Sequence, residues 1–173
     1  SDKLVDVKLV PTEGITGIRA EDVKIAETIG HKIKLLGRCI IKDSGETFIM
    51  VAPFLIPSDA PLSTVNGVYN AVEVIAEPLG NVMFYGQGAG RYPTAYNVVQ
   101  DCADFLSGKS FYCPYGAKTP IDNSEKRTYY VRGGWNGPVA ETWGEAVITE
   151  PVSVCEIHAW LKQNPDAFIA AIA

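Results

Sequence analysis

The segment with the most evident chemical potential is Gly86-Gln87-Gly88-Ala89-Gly90. It follows a short apolar run over residues 82–85 and leads through Pro93 and Thr94 into a stretch with helical apolar spacing. A strand that hands over to a helix through glycines presents backbone N–H groups at the first helical turn, where an anion or a carboxamide can be held. Glycine also permits positive φ and lets another group approach the backbone closely. A tight strand-to-helix connection with no ligand satisfies the same pattern. The residues alone leave both readings open.

Other motifs fail on geometry. Gly108-Lys109-Ser110 imitates the end of a phosphate-binding P-loop, but Ala103 stands where that loop requires glycine, and the segment follows a helix instead of preceding one. Gly86-x-Gly88-x-Gly90 is one residue short of the dinucleotide fingerprint and has no acidic residue at a second strand end to hold a ribose. The four cysteines (Cys39, Cys102, Cys113, Cys155) are dispersed, and His31 and His158 lie at no metal-ligand spacing from them, so free thiols and no metal site are expected. His31, just after a helical pattern, reads as a charge partner for the helix end. No set of residues suggests catalysis.

These candidate groups sit in a chain of 173 residues with 47% apolar and 20% charged residues, enough to form a core without disulfides. Fifteen Lys and Arg against twenty Asp and Glu give a net charge of −5 with no basic run, which removes the electrostatic basis for nucleic-acid binding. No apolar run approaches the length of a membrane span, and a cytoplasmic location is expected.

The elements that must position the glycine loop follow from periodicity. Residues 4–9 alternate and predict a short strand, and a helix is expected from Ala20 to a stop at Gly30. Residues 33–41 and 47–51 read as strands around Asp43-Ser44-Gly45, followed by a loop through Pro53, Pro57 and Pro61. Residues 71–76 and 82–85 form the next strand pair, and a helix carries Ala95, Val98, Val99, Cys102, Phe105 and Leu106 on one face. Breakers between 107 and 125 place a boundary near residue 110. Beyond it, 129–132, 146–149 and 168–172 read as strands, with a helix capped by Ser153 and Glu156 running to about Gln163.

Several blocks carry a family resemblance. Leu55-Ile56-Pro57-Ser58-Asp59-Ala60-Pro61-Leu62, Val65-Asn66-Gly67-Val68-Tyr69-Asn70-Ala71-Val72, Met83-Phe84-Tyr85-Gly86-Gln87-Gly88-Ala89-Gly90 and Pro93-Thr94-Ala95 resemble homoserine dehydrogenase, in order. So does the upstream stretch Glu13-Gly14-Ile15-Thr16-Gly17-Ile18 with Glu21, Asp22, Ala26 and Gly30, and then Ile33-Lys34-Leu35-Leu36-Gly37. The resemblance covers about residues 5–106.

It implies an α+β fold: a mixed β-sheet with helices on one face over residues 1–110, as in the substrate and dimerisation domain of that family, then a small α+β, ACT-like module over 111–173. It also implies that the chain is a C-terminal piece, with the Rossmann domain and the catalytic Asp and Lys elsewhere, so that no catalytic residue is assigned here. Carried over residue by residue, Gly88, Ala89, Gly90 and Thr94 are expected to border the nicotinamide cofactor, NAD(P), in the intact enzyme. The chain alone is expected to bind no cofactor and to be inactive. A homodimer is expected, with a small-molecule substrate only in the intact enzyme. The competing readings are a free-standing, non-enzymatic amino-acid-sensing module and an assembly piece for a separately encoded catalytic half. In the tail, Trp135 and Trp143 are expected to cover apolar surface on the preceding domain rather than to report an effector.

Overall fold

The computed structural model describes residues 4–109, 116 and 118–173. In chain order the elements are α1 (Ala20–Thr28), β1 (His31–Ile41), β2 (Thr47–Pro57), β3 (Tyr69–Ala76), β4 (Gly80–Gln87) and α2 (Arg91–Leu106). Then come β5 (Lys126–Arg127), β6 (Tyr129–Arg132), β7 (Val139–Trp143), β8 (Ala146–Thr149), β9 (Val152–Ser153), α3 (Val154–Gln163) and β10 (Phe168–Ile172). They fall into two compact units: residues 1–58 with 115–173, and residues 59–114.

The first unit is built on a six-stranded sheet in the order β1-β2-β10-β6-β8-β7. β2 and β10 run parallel and every other neighbouring pair is antiparallel, so the sheet is mixed, as expected. Its centre is buried on both faces. Phe168 and Ala170 of β10 pack with Leu55, Tyr130, Ala146, Ile148 and α1's Ala26, while Ile169 and Ala171, pointing the other way, are equally buried. Trp143 is half-buried against the cluster that contains α1's Ala26, and Trp135 meets Trp160 edge to face at 5.1 Å. Trp143 thus packs against residues of the preceding segment, as expected, whereas the ring contact of Trp135 is with Trp160 of the tail itself.

The sheet cuts across the division of the chain at residue 110. β10 and β6, from the tail, lie between β2 and β8, so the C-terminal strands complete the N-terminal sheet instead of forming a module of their own. What the composition marks near 110 is the return of the chain from one unit to the other. No short-range pattern could reveal that pairing, because β2 and β10 meet only at Phe54–Ala171 and Leu55–Ile172.

Three local expectations are corrected. Residues 4–9 form no strand: Val7–Leu9 is a single 3-10 turn, entered by Asp6, whose carboxylate accepts the Lys8 N–H at 3.1 Å. A side chain that satisfies its own neighbouring backbone competes with the ladder. Pro53 and Pro57 lie within β2, opposite Leu35 and His31, and not in a loop. β10 meets β2 only from Phe54 onward, so at Pro53 a missing N–H is tolerable. The strand β7 was not expected at all. It follows the glycine-rich turn 133–137 and carries a bulge between Val139 and Glu141, which breaks its alternation.

The second unit holds the β3–β4 hairpin, which turns through Glu77-Pro78-Leu79-Gly80 with Gly80 at φ +77°, and the helix α2. None of α2's residues is buried. Phe105 and Leu106 are 81% and 84% exposed, and on the hairpin the directly opposed Val72 and Phe84 are 62% and 64% exposed.

Candidate functional site

The glycine loop sits where the periodicity puts it, between β4 and α2. The Gly88 N–H donates to the Val68 carbonyl at 3.0 Å, which prolongs the hairpin by one rung past Tyr69–Gln87. Tyr69 and Tyr85 stack with centroids 4.8 Å apart, and the Gln87 amide donates to the Tyr69 hydroxyl at 3.2 Å. These contacts tie down the strand end from which the loop departs.

Gly90 is the N-cap of α2 at φ +124°, a conformation that side-chain-bearing residues rarely adopt. Its carbonyl accepts the Thr94 N–H at 3.2 Å and so starts the helical ladder. Thr94 therefore has its backbone donor committed and can offer a ligand only its hydroxyl. Gly88, Ala89, Gly90 and Thr94 are all exposed, at or within one turn of the helix start.

Two further groups join them. A Cβ on Gly88 would collide with the side-chain amide of Asn70, so this carboxamide lies directly over the loop. Arg91, the first residue of α2, holds its guanidinium 5.8 Å from the centroid of the Tyr92 ring. With no acidic residue in the first turn, the helix dipole and Arg91 both favour negative charge there. The arrangement can take an anionic or carboxamide group against exposed backbone. Asn70 escaped the loop-based reading because it lies on β3, and only the hairpin register brings it to Gly88.

The first unit contains a buried, multiply bonded carboxylate that spacing alone does not reveal. Asp22 is completely buried. Arg132 grips it with two hydrogen bonds, Nε to Oδ1 at 2.9 Å and Nη2 to Oδ2 at 3.1 Å. The Tyr130 hydroxyl donates to Oδ1 at 2.7 Å and the Arg19 N–H to Oδ2 at 2.7 Å. Arg132 Nη2 also donates to the Gly17 carbonyl at 2.8 Å. Burial pushes the Asp22 carboxyl up, but the donors of Arg132, Tyr130 and Arg19 outweigh it and hold the group below its ordinary value. Tyr130 is driven the opposite way, upward, by burial and by donating to that carboxylate. From the sequence Asp22 reads as a helix-start acid; its side-chain partners Tyr130 and Arg132 lie 108 and 110 residues away.

His31 stands just past α1, its Nδ1 lying 2.7 Å from the carbonyl of the C-cap residue Ile29. Among the described residues no group of three His, Cys, Asp or Glu could hold a metal ion, and no helix is long and apolar enough to cross a membrane.

Fold and site together define a mixed-sheet α+β protein with a glycine-lined strand-to-helix junction. The family model for homoserine dehydrogenase matches residues 2–103, and the chain belongs to that family. It is 48% identical over 100 residues to the homoserine dehydrogenase of Synechocystis, covering 56% of this chain and 23% of that protein. It is 37% identical over 128 residues to the Bacillus subtilis enzyme, covering 68% and 29%. A homoserine dehydrogenase structure from Thiobacillus denitrificans superposes with a TM-score of 0.71 at 25% identity, over 93% of this chain and 47% of that one. One from Staphylococcus aureus at pH 6.0 gives 0.65 at 25% identity, over 99% and 49%. The chain thus spans about a quarter of the curated relatives it matches. The structural likeness extends past residue 103 into the tail strands.

Proposed function

We propose that this chain supplies the sheet framework and one wall of the cofactor site of a homoserine dehydrogenase, an NAD(P)-dependent oxidoreductase of amino-acid biosynthesis that interconverts aspartate semialdehyde and homoserine. The observation that carries the reading is the β4–α2 junction, which lies within the family match and presents Gly88, Ala89 and Gly90 as exposed backbone. NAD(P)H supplies the hydride for the semialdehyde carbonyl when it is bound. The residues fit such a group through the exposed, positive-φ Gly90, where a side chain would strain the helix start, and through the Asn70 amide that covers Gly88 and stands beside the loop as a hydrogen-bonding group.

The chain's own part is positional. The hairpin and the Tyr69–Tyr85 stack fix the loop, the start of α2 favours a negatively charged or carboxamide group, and the Asn70 amide and Thr94 hydroxyl are hydrogen-bonding handles beside it. The proton-transferring group and the remaining cofactor- and substrate-binding groups are assigned elsewhere in the enzyme, so homoserine with NADP and this chain alone is expected to give no reduced cofactor. The exposed apolar faces of the 59–114 unit suit a second copy of the chain, and a homodimer is part of the proposal.

The test is Gly90→Val in the full-length enzyme. Loss of the positive-φ cap is expected to raise the cofactor KM and to cost about 1–3 kcal/mol in kcat/KM for the cofactor. Unchanged kinetics would remove Gly90 from the cofactor wall.

A further inference from the structure

Two carboxamides stand at the open end of the β3–β4 hairpin, and one of them is engaged. Gln87, the last residue of β4, donates its amide to the Tyr69 hydroxyl. Asn70 lies on the other face of the hairpin, because its register partner is Gly86 and successive strand residues alternate. Its side-chain amide has no hydrogen-bond partner among the described residues.

The surroundings of Asn70 are backbone without side chains. Gly86, directly opposite, has none, and a Cβ there would meet nothing within 4 Å. Gly88, two residues on, is the position where a Cβ would collide with the Asn70 amide. The hairpin register therefore sets where this carboxamide stands, and its exposed position leaves both polar ends open to a ligand. A carboxamide is neutral and carries N–H donors and a C=O acceptor in one plane. An anion would use only the donors. A second carboxamide uses both, accepting at its oxygen and donating from its nitrogen. Arg91 and the start of α2 offer positive charge alone, so the two sides of the junction differ in what they hold.

We propose that Asn70 recognises the carboxamide of the nicotinamide ring and so determines how the ring is oriented at the cofactor wall. The inference rests on the reading of the β4–α2 junction as that wall. Orientation of a reacting group is a contribution that a binding side chain can make without moving a proton.

Equilibrium binding to the full-length enzyme, without substrate, tests this apart from turnover. Three ligands are titrated by calorimetry: the oxidised cofactor, its 3-acetylpyridine analogue, in which a methyl replaces the amide nitrogen, and the matching ADP-ribose fragment, which lacks the ring. The wild type should bind the cofactor about tenfold more tightly than the analogue, the effect of one lost hydrogen bond whose partner is left unpaired. Asn70→Ala should bind cofactor and analogue alike, with the affinity for the ringless fragment unchanged. Asn70→Leu keeps bulk over Gly88 while removing donor and acceptor, and should give the same result should Asn70→Ala fold poorly. Equal weakening of all three ligands, which a purely structural role would produce, overturns the proposal, as does a preference for the cofactor that survives in the variants. Gly90→Val separates this failure from that of the wall. Cofactor binding weakened by Gly90→Val, with the preference intact in the Asn70 variants, removes Asn70 alone; binding unaffected by either change removes the wall as well.

Discussion

The two units of this chain solve the same problem to different degrees. In the six-stranded unit, strands from both ends of the sequence bury one another, and even a carboxylate can be sealed inside because Arg132, Tyr130 and a backbone amide satisfy it. In the 59–114 unit, a two-stranded hairpin and a sixteen-residue helix leave most of their large apolar side chains exposed. A hairpin alone is marginally stable in water, so that unit has the character of a surface made to be covered. One unit stores its stability internally; the other carries the loop proposed to meet a cofactor.

The sharpest way to break this contrast is at Asp22. Asp22→Ala leaves Arg132, 7% exposed at its side chain, as a buried and unpaired cation. The expected loss is about 3–5 kcal/mol in urea unfolding. Replacing both partners, Asp22→Leu with Arg132→Met, should recover much of that loss, because the cost lies in the orphaned charge more than in the pair's net strength. The ion pair Lys109–Asp104 of the other unit, with its lysine 65% exposed, serves as the control. Lys109→Ala should cost less than about 1 kcal/mol. Equal effects at the two pairs would erase the distinction.

Acid sharpens the same point with a smaller effect. The folded Asp22 carboxyl titrates below its ordinary 3.8, so the unfolded chain takes up the proton first as pH falls. The stabilisation is fully present above that ordinary value and is lost as pH drops from it through the lowered folded value. The urea midpoint of the wild type should therefore fall more steeply below about pH 4 than that of the Asp22→Leu, Arg132→Met variant. Parallel curves would show that Asp22 is not a linked group.

How far the sequence shows these units depends on the range of the interactions. Ser153 as a cap with its oxygen accepting the Glu156 N–H and the hairpin at Asp43-Ser44-Gly45 rest on neighbours within a few residues, and the β-rich composition of Phe168–Ile172 marks it as a strand though not its partners. The glycine loop is legible for the same reason. What stays hidden depends on distant pairing. Arg132 finds Asp22 across 110 positions, β10 enters beside β2, and Asn70 reaches Gly88 only through the hairpin register. Pro53 illustrates the limit most simply. Its ring breaks a local strand pattern, yet the sheet leaves room for it where β10 has not yet begun to pair.

The smallest expected change in stability comes from the exposed hairpin face, where the effect on assembly should be large. Val72 and Phe84 are directly opposite each other on β3 and β4, and both are more than half exposed. Val72→Lys with Phe84→Glu keeps a favourable cross-strand pair while removing the apolar surface. Unfolding free energy should shift by no more than about 0.5 kcal/mol, since neither side chain contributes to a core. Self-association is another matter. If a second copy covers this face, light scattering at tens of micromolar should give a dimer mass for the wild type and a monomer mass for the doubly charged variant. A wild type that remains monomeric, or a variant that still dimerises, would show that the open unit is not closed by its own copy on this hairpin face. A variant that loses several kcal/mol would instead show that the face belongs to a core, and the contrast between the two units would fail.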